Sequence, residues 1–487
     1  MQNYNSKLKI LKNAKSGSIL VQIIVFSSLA TILISALANW SAASLRASRK
    51  EYYREIAFQI AEAGIEYYRW HLAHAPTDFK DGTQNDGPYI HNYYDKNGNK
   101  IGEFHLTITP PEVGSTKVKI SSTGKVVDDT SIYRKIEVEV AKPSLAKYAV
   151  ATENNIRFGE GTEVWGPIHS NGGIRFDGLA HNIISSALST YKDPDHSGNS
   201  EFAVHTHLSP IDPYPPASVP QRTDVFQVGR QFPVPAIDFS KFTNDLSQMK
   251  TLAQSNGKYF GTSGKSGYYL LLKTDGTFDL YKVMSIVPVP NNCNDTQGQF
   301  DWGTWSINTK TFMANYPFPA NGIIFAEDDV WVEGQINNAR LTIASGRFPE
   351  NHGQETSITI NNNLLYTNYD GKDSIALVSQ GNINAGWVSA DNLRIDAALI
   401  AKNDRVGRYY YRGPYSNKQG CSPYHVRDTI TLYGMLATNK RYGFAYTDGT
   451  GYQNRNIIYD ANLLFSPPPN FPLTTDQYQI LTWKETR

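Results

Sequence analysis

From Ser18 to Trp40 apolar residues follow one another almost without a charge, over a length that crosses a bilayer core as a helix. Past Trp40 the pattern changes but does not stop. Ile56, Ile60, Gly64, Tyr68 and Leu72 recur at fourfold spacing, and Ala57, Ala61 and Ile65 widen that stripe, while Arg46, Arg49, Lys50, Arg54, Glu62 and Glu66 fall mostly elsewhere. No proline intervenes before Pro76. The spacing therefore predicts one long helix over 18–75, membrane-inserted at first and amphipathic for about eight turns beyond.

After Pro76 a polar loop leads to three alternating stretches, 100–109, 117–126 and 131–140; in the last, Ile132, Ile136, Val138 and Val140 share a face. Residues 76–145 then read as a small antiparallel sheet beneath the helix. Asn97-Gly98 is a turn signal whose ligand set is too incomplete for calcium. Farther on, Ile323, Leu341, Ile358, Ile375 and Leu393 open short alternating strands at intervals of about 17 to 18 residues, and Ile430 follows at about twice that interval. No such unit buries its apolar face alone, so stacking must supply the core. The reading is a parallel β-helix-like solenoid over 322–487 with its C-terminal cap, whose first rungs are 146–178. An inserted α+β module fills 179–321, with a helix near 238–255 and a hairpin near 268–284. A β-sandwich is the competing arrangement if each unit holds two strands.

The segment Lys15-Ser16-Gly17-Ser18-Ile19-Leu20-Val21 resembles a class III prepilin cleavage region, and Ala57-Phe58-Gln59-Ile60-Ala61-Glu62-Ala63 resembles the matching segment of PilX-type minor pilins. The resemblance covers about the first 75 residues, and more loosely the next 70. It implies a leader over 1–17, cleavage after Gly17 by a prepilin peptidase, a methylated Ser18 amine, and other pilins or pilus components as partners. Most pilins carry glutamate five residues into the mature chain; here that residue is Gln22, a departure that weakens charge pairing with a neighbouring subunit and points to a tip or initiating role. Lys7, Lys9, Lys12 and Lys15 hold the start of the chain on the cytoplasmic side, with lipid around 19–40, so the bulk is extracytoplasmic in a single-pass protein of the cytoplasmic membrane, pilus or cell surface. Ala36-Leu37-Ala38 also fits a signal peptidase site, which would leave Asn39 first.

Composition narrows the partners. The 487 residues exceed one core and imply about two or three domains. A net charge of +1 gives no global field for nucleic acid, which is excluded as a partner. Cys293 and Cys421 sit in turn-rich stretches and form either an extracellular disulfide or two free thiols. Tyr409, Tyr410 and Tyr411, flanked by Arg408 and Arg412, suit recognition of a glycan or a surface protein if exposed.

Three clusters bear on catalysis. His169-Ser170 with His181, His205 and His207 lacks the strained turn that presents a nucleophilic serine. Glu327-Asp328-Asp329, with Glu333 beyond, lies at a turn. Asp193-Pro194-Asp195-His196-Ser197-Gly198 begins like a calcium loop but has Val204 where a bidentate glutamate is required. No catalytic residue, metal ligand or cofactor is assigned. The expected function is a non-enzymatic minor pilin-like surface protein acting in assembly, tip structure or adhesion. The alternative is a membrane-tethered, calcium-dependent polysaccharide-degrading enzyme, which a solenoid groove gathering carboxylates and a basic residue would favour.

Overall fold

In the computed structural model, which describes residues 14–112, 114–239, 241–351 and 353–486, the chain forms two compact units. One comprises the chain up to Thr109, Lys119–Val140 and Ile480 onward; the other comprises Pro110–Val118 and Ala141–Gln479. The larger unit is thus inserted into the smaller. Residues 1–13 of the expected leader, Lys7, Lys9 and Lys12 among them, lie outside the described residues.

In the smaller unit one helix, α1 (Ala14–His74), runs unbroken through the predicted junction between apolar and amphipathic halves. Its first half is uncovered by the chain: Ile19, Phe26, Leu33 and Trp40 stand 55–71% exposed. Its second half buries Ala57, Ile60, Ala61, Ile65, Tyr68 and Leu72, the predicted stripe, while Ile56 is half-buried. Close approach to the sheet depends on missing side chains. A Cβ on Gly64 would stand 2.3 Å from Ser122 Oγ, and one on Gly124 would stand 2.1 Å from the Ala57 carbonyl oxygen.

The sheet has five strands, not three. They run in the order β1 (Tyr89–Tyr94), β2 (Lys100–Thr109), β3 (Val118–Val126), β4 (Tyr133–Ala141) and then Gln479–Thr486. β1 hides in the sequence as a half-buried Tyr-rich stretch of a polar region. The last strand, which sequence reading assigns to the cap of the large body, is tied into the small sheet by an Arg134–Glu485 bond of 2.7 Å and by Trp483 set edge-on against Phe58. Its side chains are mostly exposed, so it carries little apolar pattern by which to be recognised.

The larger unit is a coil of parallel strands. One in-register column of inward residues, Ile324, Ile343, Leu377, Leu399, Leu436, Val150, Ile168 and Ile184, links eight successive strands, and each side chain is at most 1% exposed. The neighbouring outward row, which includes Phe325, Ala344, Val378, Ile400 and Ala437, packs with Leu246 and Met249 of α2 (Lys241–Asn256). At the corner Ser345, Ser379, Thr438, Thr152, Ser170 and Ser186 stay buried because each hydroxyl donates to a backbone carbonyl, which removes the cost of burying it.

The column also gives the winding order. Val150–Thr152 pairs with Ile168–Ser170 on one side and with Val426–Thr438 on the other, so the first and last turns meet inside the coil. The interval of about 17 to 18 residues is not a full turn throughout. Leu341 stacks on Ile375 and Leu393 on Ile430, but Ile358 stacks on Ile383 in a separate ladder. Each crossing of an inner wall, rather than each turn, needs an apolar residue.

Much of 179–321 is coil as well. Ile184–Ser186, Val204–His205, Lys258–Phe260 and Gly267–Leu272 all pair in parallel with strands of the coil, in segments of two to six residues, mostly too short to show a period. The predicted helix and hairpin correspond to α2 and to the antiparallel pair Gly267–Leu272 and Thr277–Ile286.

Candidate functional site

Gly17, Ser18 and Gln22 all lie in α1, and Ser18 and Gln22 are exposed one turn apart. Cys293 and Cys421 are joined by a disulfide that closes a separation of 128 residues, and both are buried. Around it Tyr269, Trp305, Trp331, Trp387, Tyr409 and Tyr411 form an aromatic core.

The exposed patch expected from Arg408 to Arg412 is therefore not a surface. Tyr409 and Tyr411 are buried with the disulfide, and Arg408 is fully buried. Its guanidinium donates to the carbonyls of Gly386, Trp387 and Tyr424 and to Ser389 Oγ, at 2.5–2.9 Å. Burial without a carboxylate partner pushes the Arg408 pKa down. Arg412 is half-buried with its guanidinium 3.5 Å from the Tyr415 ring centroid. Only Tyr410 of the five lines a groove; its hydroxyl donates to Asp448 at 2.7 Å.

The catalytic clusters weighed from sequence are separated or consumed. His169 Nδ1 faces Ser185 Oγ on the next strand at 3.1 Å and Nε2 faces Asn171, while Ser170 donates to the Asn154 carbonyl. Burial lowers the His169 pKa. His181 stacks on Trp165, ring centroids 4.5 Å apart. Glu327 bonds Lys250 and accepts from the Tyr259 hydroxyl; Asp328 accepts from Arg347 and from the Ser263 N–H; Asp329 accepts from the Ser357 N–H at 2.8 Å. Burial raises Asp329 to about 7, against the lowering effect of that N–H.

What the fold does assemble lies around 193–207. Thr190–Tyr191 pairs antiparallel with Glu201–Phe202, and the connecting loop carries Asp193 and His196. The chain then runs into Val204–His205, stacked in parallel on Ile174–Phe176, so that His205 follows Arg175 and Arg157 along one row. His205 and His207, two residues apart on extended chain, present their rings to the same side, with centroids 5.1 Å apart. One ligand atom from each of Asp193, Glu201, His205 and His207 falls within 4.8 Å of the others. Burial raises the Asp193 pKa, but the His205 ring, the Asp195 N–H and Arg175 outweigh it and bring it to about 2.

His207 also lines an open groove of about 830 Å³ that includes Arg157, Arg175, Asp195, Tyr410 and Arg441. Arg441 donates to Asp195 at 2.9 Å and holds that carboxylate below its ordinary range, while Arg175 bonds Asp177 at 2.7 Å. The groove thus gathers carboxylates and basic groups, but Asp177 and Asp195 are already paired with Arg157, Arg175 and Arg441. In the sequence His205 and His207 invite comparison with a serine triad and Asp193 with a calcium loop, and neither pattern brings the four residues together. The usable signal was Glu201-x-x-x-His205-x-His207.

No family model matches the chain, and neither does any curated protein. Among solved structures, the competence-associated pilin ComZ from Thermus thermophilus aligns over 89% of this chain and 97% of its own, at 12% identity and a TM-score of 0.28, a likeness too slight to carry an argument.

Proposed function

We propose that this chain is a non-enzymatic minor pilin-like subunit of a type IV pilus assembly, with the parallel coil as its display body. The observation that carries the reading is the continuity of α1: an apolar half without cover in its own chain passes, unbroken, into a half buried on a small antiparallel sheet. A simple anchor needs no such rigid extension. A subunit that leaves lipid to pack beside other pilins needs both halves on one rod, because its apolar half must be covered in either place. The exposed amide of Gln22, in place of an acid, suits a subunit at the tip or start of a filament.

The test is co-expression with a prepilin peptidase, followed by sequencing of the mature N-terminus. Ser18 with a methylated amine is expected. Asn39, or an unprocessed chain, overturns the reading. The paired charges of the groove favour a second reading, a polysaccharide-degrading enzyme, only to the extent that a ligand can displace Arg441 from Asp195. Depolymerisation of an acidic glycan by the purified chain, lost in Asp195→Asn, would replace the binding role with that one.

A further inference from the structure

We propose that Asp193, Glu201, His205 and His207 hold a divalent transition-metal cation of the zinc type. His205 Nδ1 lies 3.1 Å from the Phe202 carbonyl oxygen, which can only accept, so Nδ1 carries a hydrogen and Nε2 is the ring nitrogen turned toward the carboxylates. That nitrogen lies 2.7 Å from Glu201 Oε2 and 3.6 Å from Asp193 Oδ2. All three atoms are buried, and none makes a well-aligned hydrogen bond among the described residues. With side chains at most 7% exposed, two carboxylate oxygens and an imidazole nitrogen converge out of water with little to compensate their burial.

A cation resolves the conflict. Two carboxylates neutralise a divalent ion, and the backbone-bonded imidazole is oriented as a second partner orients a metal-bound histidine. Mixed imidazole and carboxylate donors suit zinc, whereas calcium takes oxygen ligands in larger number. Tetrahedral zinc spaces its ligand atoms by about 3.3 Å. That value falls between the 2.7 Å and 4.8 Å found here. His207 Nε2, 2.8 Å from Glu201 Oε1, closes the set, and Arg175, 3.7 Å from Asp193 Oδ2, is bonded more closely to Asp177. The ion would fasten the ribbon 190–202 to the strand that follows it.

The full-length chain, purified in detergent without a histidine tag, is equilibrated with zinc, dialysed and assayed for metal; a cobalt-loaded sample is scanned for the visible absorption of four-coordinate cobalt. Stoichiometric zinc, a thermal shift with zinc but not calcium, and a cobalt band are expected. His205→Ala and His207→Gln should lose the zinc and the band, and His181→Ala should keep both. His207→Gln, at a partly exposed position beside the groove, guards against misfolding, with near-ultraviolet circular dichroism as the check. Zinc retained by His207→Gln, equal shifts with calcium, or wild-type protein that binds no metal and so holds only a protonated histidine–carboxylate cluster would each overturn the proposal.

Discussion

The segment Arg408–Arg412 and the groove around Arg441 are built from the same residue types, tyrosines and arginines, and the fold treats them in opposite ways. In the first, Arg408 is fully buried against carbonyls, and Tyr409 and Tyr411 pack round a disulfide. In the second, Arg157, Arg175 and Arg441 face carboxylates at the wall of an open cleft. The acids follow suit: Asp329, near the aromatic core, is pushed up to about 7, whereas Asp195 in the groove is held down by Arg441. A Tyr-Arg stretch is therefore no guide to exposure; whether a crosslinked strap folds it inward decides.

The largest expected effect is on Arg408. Arg408→Ala leaves three carbonyls and a hydroxyl without their donor in a closed core and should cost on the order of 3–5 kcal/mol, read as a fall in denaturation midpoint. An effect as small as that of a surface charge would erase the contrast between the two regions. The paired replacement Cys293→Ser with Cys421→Ser should cost about 2–4 kcal/mol, because it frees a loop of 128 residues in the unfolded chain, and reduction of the wild type should reproduce the loss.

The sign of the pH effect sharpens the contrast further. Burial pushes Asp329 up to about 7 in the fold, well above the ordinary carboxylate range, so its contribution is complete below that range and disappears as pH rises through about 7. Asp329→Asn, which keeps an acceptor for the Ser357 N–H, should flatten that decline and melt a few degrees above wild type at about pH 8. The smallest effect belongs to the groove. Arg441 is 42% exposed, and Arg441→Ala should cost below about 1 kcal/mol in thermal denaturation, because solvent already screens its bond to Asp195.

The parts of the fold legible in the sequence are those with a long period. The stripe from Ala57 to Leu72 repeats over several turns of one helix, and the apolar strand starts from Ile323 to Ile430 announce stacking. What stayed hidden depends on partners far away in the chain. Nothing local in Val150–Thr152 tells that its neighbour is Leu436, and the exposed strand Gln479–Thr486 has no amphipathic signature. The His/carboxylate cluster was half legible: Glu201, His205 and His207 make a compact motif, but Asp193 joins only because a ribbon doubles back.

The small sheet under α1 takes its edge strand, Gln479–Thr486, from beyond the entire coil in the chain. A ribosome that stalls anywhere within the coil therefore releases a rod whose head is missing a strand, with unpaired β4 backbone at its edge. The topology acts as a completeness check: the small sheet gains its fifth strand only from residues that follow the whole coil in the chain.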